Sequence, residues 1–272
     1  MQRKTRWGFH QVALLLTVTL AVSCVANAQQ LTWLGTLGGG TSNAYNVSSG
    51  GVVVGSAEDA GGRTRAFLWT ASTGMQDLGT LGGTTSLAYA VSEDGRVVVG
   101  YATDSSGQER AFLWTAVTGM QDLGTLGGTW SRALSVSPDG TFVTGSATDA
   151  SGQRYPFRWT ASGGIENLGT FGGESWAWGV SADGSVVVGW SRDATGQPRA
   201  FRWTASSGLQ DLGTLGGRFS LAYDVSADGN VVVGRSENPG GAPDTAFRWT
   251  PWGGMQTWHV GRKPQLCLQR LR

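Results

Sequence analysis

The side chains that could perform acid–base chemistry in this sequence are almost all carboxylates in predicted turns. The candidates recur with the repeat described below: Glu93, Asp94, Asp104, Asp139 and Asp183. Two such carboxylates could act as the acid and base of a glycoside hydrolase. Aspartate is also favoured in turns for local hydrogen bonds to the backbone, and a catalytic pair is not expected to recur in every unit. We therefore predict that the chain is not an enzyme, with carboxylate-based glycan hydrolysis as the alternative.

Groups suited to nucleophilic or metal chemistry are missing from residues 29–256, which contain no Cys, His or Lys. The cysteines and histidines of the chain lie outside this range, at Cys24, Cys267, His10 and His259. The sequence therefore predicts no thiol nucleophile, Ser-His-Asp triad, disulfide or His/Cys metal site there. We predict no cofactor. Calcium stays open, because segments such as 104–107 offer oxygen ligands, although each supplies only one carboxylate.

A unit of about 45 residues repeats along the chain, as expected for propellers and solenoids. The phrase Asp-Leu-Gly-Thr-Leu-Gly-Gly occupies residues 77–83 and returns at 122–128, 167–173 and 211–217, with a first copy at 34–39. An aromatic phrase of the form Ala-Phe-Leu-Trp-Thr closes each unit, at 66–70, 111–115, 156–160, 200–204 and 246–250. The spacing predicts five units, each built to the same plan.

Three turns divide each unit into short strands. Asp94-Gly95 lies between apolar runs and predicts a hairpin with a type I′ turn. The segment from Asp104 to Gly107 predicts a type I turn closed by a left-handed glycine. A third turn ends at Gly74 and its equivalents. Each unit is therefore predicted to form four antiparallel strands.

Consecutive apolar residues in one strand indicate that both faces of the sheet are buried. Residues 97–99 and 186–188 are all valine, and the repeated tryptophans of the aromatic phrase are predicted to belong to the core. The predicted fold is all-β, an array of about five four-stranded blades of a β-propeller, with a β-solenoid as the alternative. We expect neighbouring units to share strands, with 31–37 opening the series and 254–256 beginning a sixth unit.

The repeated phrases resemble those of the HAF-type extracellular repeat proteins of bacteria. The resemblance covers residues 31–256 and includes the Val-Ser-x-Asp-Gly segment. The His-Ala-Phe of that family reads Arg-Ala-Phe at 65–67, 110–112 and 199–201. The family implies an extracellular location and a repeat architecture, without a defined activity.

The N-terminus has the features of a signal peptide over residues 1–28. Positive residues precede the apolar stretch 12–22, and Ala26-Asn27-Ala28 supplies a small-residue cleavage pattern. A lipoprotein attached through Cys24 is the alternative. The mature chain is predicted to have no membrane span and to be secreted or held at the outer surface. A formal charge of +1, with 14% charged residues and no basic stripe, argues against nucleic-acid binding.

The last residues break the repeat. After Gln256 the chain reads Thr-Trp-His-Val-Gly where another Asp-Leu-Gly-Thr-Leu-Gly-Gly phrase is expected. Back-translated with permitted codons and read one base later, residues 257–272 encode Pro-Gly-Thr-Leu-Gly-Gly and further repeat residues. We predict that 257–272 is a frameshifted tail that truncates a longer array. A divergent capping segment is the alternative.

The segments after each Gly-Gly vary from unit to unit and predict a binding surface. Variable positions on a repeat scaffold are where ligands are met. The candidate residues are Trp130, Trp176, Phe219, Arg218 and Glu174. Trp178, which aligns with Tyr45 and its equivalents, is predicted to belong to the core. The predicted function is a binding scaffold for a glycan or protein ligand at the cell surface, and a purely structural surface array is the alternative.

Overall fold

The computed structural model describes residues 32–241 and 243–257, so the predicted signal peptide and the residues after Thr257 lie outside the described chain. The regular structure of this part is β-strand, apart from a short 3-10 turn at Pro239–Gly241. Twenty strands form five sheets, and each sheet is a meander of four consecutive antiparallel strands. We call these sheets blades 1 to 5. The predicted all-β array of about five four-stranded units is confirmed.

Each blade begins at or just after a Gly-Gly phrase and ends before the next Leu-Gly-Thr segment. The strands of blade 1 are β1 (Gly38–Val47), β2 (Val53–Asp59), β3 (Thr64–Thr70) and β4 (Gly74–Asp77). Those of blade 2 are β5 (Gly82–Val91), β6 (Val98–Asp104), β7 (Glu109–Thr115) and β8 (Gly119–Asp122). Those of blade 3 are β9 (Gly127–Val136), β10 (Val143–Asp149), β11 (Arg154–Thr160) and β12 (Gly164–Asn167). Those of blade 4 are β13 (Ser175–Val180), β14 (Val186–Arg192), β15 (Pro198–Thr204) and β16 (Gly208–Asp211). Those of blade 5 are β17 (Ser220–Val225), β18 (Val232–Ser236), β19 (Thr245–Thr250) and β20 (Gly254–Thr257).

The hairpin turn at Asp94-Gly95 differs from the predicted type I′ form. The N–H of Gly95 donates to the carbonyl of Ser92 (3.0 Å), and the φ of Gly95 is 76°. No residue other than glycine has a positive φ in the described chain, which excludes a type I′ turn at Asp94. The turn is of type I, because Asp94 is held by accepting hydrogen bonds from the Ser92 hydroxyl (2.7 Å) and the N–H of Arg96 (3.0 Å).

The turn at Asp104 has the predicted type I form. The N–H of Gly107 donates to the carbonyl of Asp104 (2.9 Å), and the φ of Gly107 is 77°. The Asp104 carboxylate accepts from the N–H groups of Ser106 and Gln108 and pairs with Arg110. Both oxygens of the Asp104 carboxylate thus bind groups of the protein itself.

Within the described residues, no three side chains of His, Cys, Asp or Glu lie close enough together to hold a metal ion.

The second strand of each blade needs a glycine where it crosses a bulge in the first strand. The pairing of β5 with β6 shifts register between Ala88 and Ala90, opposite Gly100. A Cβ built on Gly100 would lie 1.9 Å from the carbonyl oxygen of Leu87. The same close approach to backbone recurs at Gly55, Gly145, Gly189 and Gly234. These glycines are therefore required by the approach of two backbones, as is common at bulges.

Apolar clusters fill the spaces between consecutive blades. Between blades 1 and 2, Val54 and Leu68 of blade 1 pack with Val91, Phe112 and Trp114 of blade 2. Corresponding clusters lie between blades 2 and 3, 3 and 4, and 4 and 5. The hydrophobic core is thus divided into layers between sheets, and each inner blade contributes to two of them.

The prediction that the valine strands are buried on both faces is confirmed for the inner blades. Val98 and Val99 of blade 2 are both fully buried, as are the equivalent valines of blade 4. In blade 5, Val232 is buried whereas Val233 is exposed. The repeated tryptophan of the aromatic phrase packs in the core as predicted, buried in blades 2, 4 and 5 and half-buried in blades 1 and 3.

The ends of the array correct one prediction and confirm another. Residues 32–36 have no regular structure and β1 begins at Gly38, so 31–37 is not the opening strand. Gly254–Thr257, at the start of a sixth unit, forms the fourth strand of blade 5. Every blade takes its fourth strand from the start of the following unit in the same way, because β4 and its equivalents come after the aromatic phrase that closes a unit. The prediction that neighbouring units share strands is therefore confirmed. The short strand pairs back onto β19 because its hairpin partner is the nearest free edge.

We expect Gly100→Ala to lower the free energy of unfolding by about 3 kcal/mol, because its Cβ would overlap a backbone carbonyl that cannot move without opening the bulge. Gly50→Ala is the matched control, since the nearest atom to its Cβ is the Ser48 hydroxyl at 3.8 Å. We expect the control to change stability by less than about 1 kcal/mol. Urea unfolding measures both, and equal losses in the two variants would refute the proposed role of the bulge.

Hydrogen bonds within the turns also predict sensitivity to acid. The N–H of Arg63 lowers the pKa of Asp59 to about 2, the Ser181 hydroxyl does the same for Asp183, and the Ser226 hydroxyl for Asp228. Carboxyl groups whose pKa is lower in the folded state stabilise it above their unfolded pKa of 3.8, and this contribution is lost as the pH falls towards 2.

The triple variant with Asn at these three positions should therefore be less stable than the parent at pH 6. The difference should shrink between pH 4 and pH 2, where the parent carboxylates take up protons. Urea midpoints measured across this range test the expectation. A difference that is the same at pH 2 and at pH 6 would show that the carboxylate charge is irrelevant.

Candidate binding face

One residue from the first strand of every blade lines a cavity on the axis of the array, which we call the axial pocket. It has a volume of about 440 Å³ and is lined by Tyr45, Tyr89, Leu134, Trp178 and Tyr223. Each of these residues sits at the register shift between the first and second strands of its blade. A bulge redirects the side chain of the extra residue, and bulges recur beside functional sites for this reason. The bulges therefore explain why these five side chains converge.

Stacked aromatic rings extend from the axial pocket onto blades 2 and 3. The ring of Tyr89 lies 5.7 Å from that of Tyr45 and 5.8 Å from that of Tyr101. The guanidinium of Arg132 lies 4.2 Å from the centre of the Tyr101 ring. On the other side of the pocket, Trp178 stacks on Tyr223 at 5.3 Å. Aromatic contacts thus join blade 1 to blade 2 and blade 4 to blade 5 around the pocket.

Glu109 fixes two half-buried side chains of β9. Trp130 and Arg132 share one face of this strand, because side chains two residues apart point the same way. The Glu109 carboxylate accepts a hydrogen bond from the Trp130 indole N–H (2.6 Å) and two from the Arg132 guanidinium (both 2.7 Å). The two-point contact with Arg132 holds both groups in a defined orientation.

Arg154 joins the aromatic residues of blades 3 and 4. Its guanidinium lies 4.2 Å from the ring centre of Trp130 and 4.7 Å from that of Trp176. The two indoles meet edge to face at 5.5 Å. Glu174 pairs with Arg154 and accepts the indole N–H of Trp176 (3.1 Å). A cation between two aromatic rings stabilises their arrangement by cation–π attraction.

The charges of this region are balanced by contact with one another. Burial raises the pKa of Glu109, but the hydrogen bonds from Arg132 and Trp130 outweigh it and hold the pKa below its usual value. Burial raises the pKa of Tyr101 to about 12 and also raises that of Tyr89. At neutral pH the face therefore presents protonated phenols beside ionised Glu–Arg pairs.

The joint between blades 3 and 4 departs from the repeat, and the Glu174–Arg154 pair lies there. At the other three joints a backbone N–H donates to a serine hydroxyl of the next blade, as Ala66 does to Ser86, Ala111 to Ser131 and Ala200 to Ser220. Pro156 replaces this alanine and has no N–H, and the Ser175 hydroxyl donates to Ser191 instead (2.7 Å). The segment before β13 is also one residue shorter than its equivalents, which places Glu174 next to the strand.

The structure brings together three of the five predicted site residues. Trp130, Trp176 and Glu174 form one cluster through Arg154. Phe219 lies on blade 5 beneath the Arg235 guanidinium (5.6 Å). Arg218 pairs with Glu237 (3.1 Å) and is largely exposed. No stacking contact links these two blade-5 residues with the cluster in the described chain.

One expectation about the site was wrong, and the variable segment is partly strand. Trp130 belongs to β9 and Trp176 to β13, and the first strand begins at the Gly-Gly phrase in blades 1 to 3 but later in blades 4 and 5. Trp178 was predicted to belong to the core. It is half-buried and faces the axial pocket, because the bulge turns it away from the layer between blades.

Sequence reasoning missed the charged partners and the axial residues. Glu109 and Arg154 occupy the same position of consecutive units with opposite charges, and such a break in the repeat is a signal that alignment of the units reveals. The recurrence of Tyr45, Tyr89 and Tyr223 at the position of Trp178 is a second signal. The bulge that aims these residues at the axis cannot be read from the sequence.

Comparison with known proteins identifies the fold. The sequence matches no protein-family profile and no curated protein. The structure is similar to TolB from Acinetobacter baumannii (TM-score 0.54, 17% identity), covering 75% of this chain but only 52% of that one. A TolB-like protein from Agrobacterium tumefaciens has a TM-score of 0.57 at 16% identity, with 80% of each chain covered. The β-propeller domain of the Trilobed protease from Pyrococcus furiosus matches with a TM-score of 0.50 at 10% identity, covering 79% and 71%.

This chain folds as a β-propeller. The similarities at such low identity establish the fold alone, and the chain spans about half of the first TolB. The solenoid alternative is excluded by the five separate four-stranded sheets. Within the described residues, no helix has the length and apolar character needed to cross a bilayer.

We expect Arg154→Met to loosen the Trp130–Trp176 pair while leaving the propeller folded. Loss of the cation from between the rings should reduce the near-UV circular dichroism of the tryptophans and cost about 1–2 kcal/mol. Arg63→Met is the control, because Arg63 forms only an exposed pair with Asp59 (2.9 Å). A near-UV spectrum that is unchanged in the Arg154 variant would contradict the ordering role of the guanidinium.

Proposed function

We propose that this chain is a secreted or cell-surface binding scaffold that holds a neutral glycan in its axial pocket. The observation that carries the proposal is the lining of this pocket by Tyr45, Tyr89, Trp178 and Tyr223 around one axis. Aromatic faces offer apolar contact to the flat faces of sugar rings, and phenol hydroxyls and indole N–H groups supply hydrogen bonds. A volume of about 440 Å³ falls in the range of small-ligand sites.

The electrostatics of the face favour an uncharged ligand. Glu109 is neutralised by Arg132, and Glu174 by Arg154, so neither pair leaves an unmatched charge for an ionic ligand. Burial raises the pKa of Tyr89 and Tyr101 further above neutral pH, so their hydroxyl groups are uncharged. The cluster of Trp130, Trp176 and Glu174 then forms an ordered rim beside the pocket, while Phe219 and Arg218 of blade 5 contribute a separate surface.

A binding role agrees better with the carboxylates than an enzymatic one. Asp94 accepts hydrogen bonds from Ser92 and Arg96, and Asp139 accepts them from Ser137 and Thr141, all within their own turns. Together with Glu93 they line a second cavity of about 520 Å³, separate from the axial pocket, but the Asp94 and Asp139 carboxylates are occupied by the hydrogen bonds of their turns. Secretion is supported by the signal-peptide features of residues 1–28 and by the resemblance of the repeats to HAF-type extracellular proteins. A protein ligand is the second candidate, because propellers such as the one in the Trilobed protease occur as domains of larger proteins.

A glycan array probed with the purified chain tests the proposal, and we expect neutral oligosaccharides to be retained. Trp178→Ala removes one wall of the pocket and should weaken binding about tenfold or more. Trp252→Ala is the matched control, because Trp252 is an exposed tryptophan in the turn between β19 and β20. Affinities are measured by titration calorimetry with the best array ligand.

Two results would contradict the glycan proposal. An array on which no neutral glycan is retained would favour a protein ligand or a purely structural surface array. Equal binding by the Trp178 and Trp252 variants would place the ligand away from the axial pocket.

A further inference from the structure

The ring of blades has one open joint, which we call the gap. The first strands of consecutive blades pack together, β1 with β5, β5 with β9, β9 with β13 and β13 with β17. In the described chain, no strand of blade 5 packs extensively against a strand of blade 1. Tyr45 of blade 1 and Tyr223 of blade 5 nevertheless line the same axial pocket. Blades 1 and 5 therefore face a common axis and flank the gap on its two sides.

The four closed joints have a common construction. An apolar cluster lies between the blades, and the turn glycine of one blade presses against the preceding blade. A Cβ on Gly95 would lie 2.6 Å from the Val52 side chain. The same contact occurs between Gly140 and Val97, Gly184 and Phe142, and Gly229 and Val186. Each joint thus has two sides. We call the face of the earlier blade, which is covered, the donor half, and the face of the later blade, whose turn glycine presses against it, the receiving half.

Blade 5 carries a donor half with nothing to receive it. The side chain of Val233 is 40% exposed, whereas the equivalent Val99 of blade 2 is 0% exposed beneath blade 3. Ala246 is exposed, although the equivalent Ala200 is buried and donates its N–H to the next blade. The outer face of blade 5 is therefore built for a neighbour in the same way as the buried faces.

Arg248 of blade 5 also lacks the contacts that its equivalent in blade 4 makes with the next blade. Arg202 of blade 4 donates to the carbonyl of Gly229 in the turn of blade 5 (3.4 Å) and lies 6.0 Å from the centre of the Trp249 ring. Arg248 occupies the same position in blade 5. In the described chain, no later blade supplies Arg248 with a turn glycine and a tryptophan like those that Arg202 contacts.

Blade 1 carries the matching receiving half. Val47 is 62% exposed, whereas the equivalent Val91 of blade 2 is 8% exposed. Gly51 has the positive φ of the turn glycines (78°), but no atom lies within 4 Å of its Cβ position, in contrast to Gly95. Ala44 is exposed as well. End units of repeat proteins usually carry polar outer faces, and this face keeps the apolar residues of an internal one.

We propose that the gap is a docking site for one further blade of this same repeat, carried by a second polypeptide. Its receiving side would take Val233 and Arg248 of blade 5, and its donor side would cover Val47 and Gly51 of blade 1. The occupant is identified by complementarity, because the four closed joints show what each half binds. A second copy of this chain is a poorer fit, since its other four blades would have to occupy space already held by blade 1.

A synthetic peptide with the sequence of residues 168–211 is the probe. This unit is chosen because blade 4 already receives an arginine: Arg158 donates to the carbonyl of Gly184 (2.8 Å) and lies 4.8 Å from the Trp203 ring centre. Sedimentation should show a 1:1 complex with the full chain. Peptide at about 100 times its Kd should raise the Tm of the chain by about 5–10 °C.

Variants on both sides of the gap provide the controls. Val47→Lys and Val233→Lys should leave the Tm of the free chain within about 2 °C, because both side chains are exposed, and each should abolish the peptide-induced shift. Val99→Lys is the matched internal control and should unfold or strongly destabilise the chain, since it places a charge in a closed joint.

Three outcomes overturn the proposal. A free chain that sediments as a dimer would mean that a second copy covers the faces. A loss of Tm in Val47→Lys or Val233→Lys as large as that in Val99→Lys would mean that the ring closes on itself. Failure of a soluble peptide to form any complex would mean that the gap does not accept a blade.

A fusion keeps the test decisive if the peptide does not stay in solution. Residues 168–211 are joined after Arg272 through a flexible Gly/Ser linker, which supplies the blade at an effective concentration of about 1 mM. The Tm of the fusion should exceed that of the parent chain, and Val233→Lys should remove the gain. A fusion with the same Tm as the parent overturns the proposal.

Discussion

Everything in this fold depends on covering both faces of each four-stranded sheet. Val98 and Val99 are adjacent in one strand and point to opposite faces, so blade 2 must be packed on both sides to bury them. A single blade cannot meet this requirement, and stability therefore resides in the layers between blades. The same requirement makes the ends of the array costly, because Val47 and Val233 remain in water at an unfilled joint.

The bulge in each first strand connects the packing to the candidate site. It lets Gly100 and its equivalents approach the neighbouring backbone, and it also adds the residue that turns towards the axis. One local irregularity, repeated five times, thus explains both the obligatory glycine and the ring of aromatic side chains around the axial pocket. The axial residues are consequences of the blade geometry and not of a separate loop structure.

The sequence predicted the fold well because its signals are local and recur in every unit. Turn glycines at fixed spacing and paired apolar residues determined the number of strands and their burial. The predicted type I′ turn was wrong because the Asp94 carboxylate accepts hydrogen bonds from Ser92 and Arg96 in a type I geometry. The Asp-Gly pair alone does not reveal these contacts. At the candidate site, variation between units singled out Trp130 and Trp176, but Glu109 and Arg154 lie on other strands and meet them only after folding.

The repeat is interrupted at the joint between blades 3 and 4. Pro156 removes a hydrogen bond that three other joints keep, and the neighbouring segment is shortened by one residue. Glu174, Arg154, Trp130 and Trp176 meet at this joint and form a cluster held by cation–π contacts and hydrogen bonds. Cation–π and edge-to-face contacts thus connect blades 3 and 4 where the repeated serine contact is absent. The repeated features hold the blades together and line the axial pocket, whereas the interrupted joint between blades 3 and 4 supplies the ordered cluster beside it.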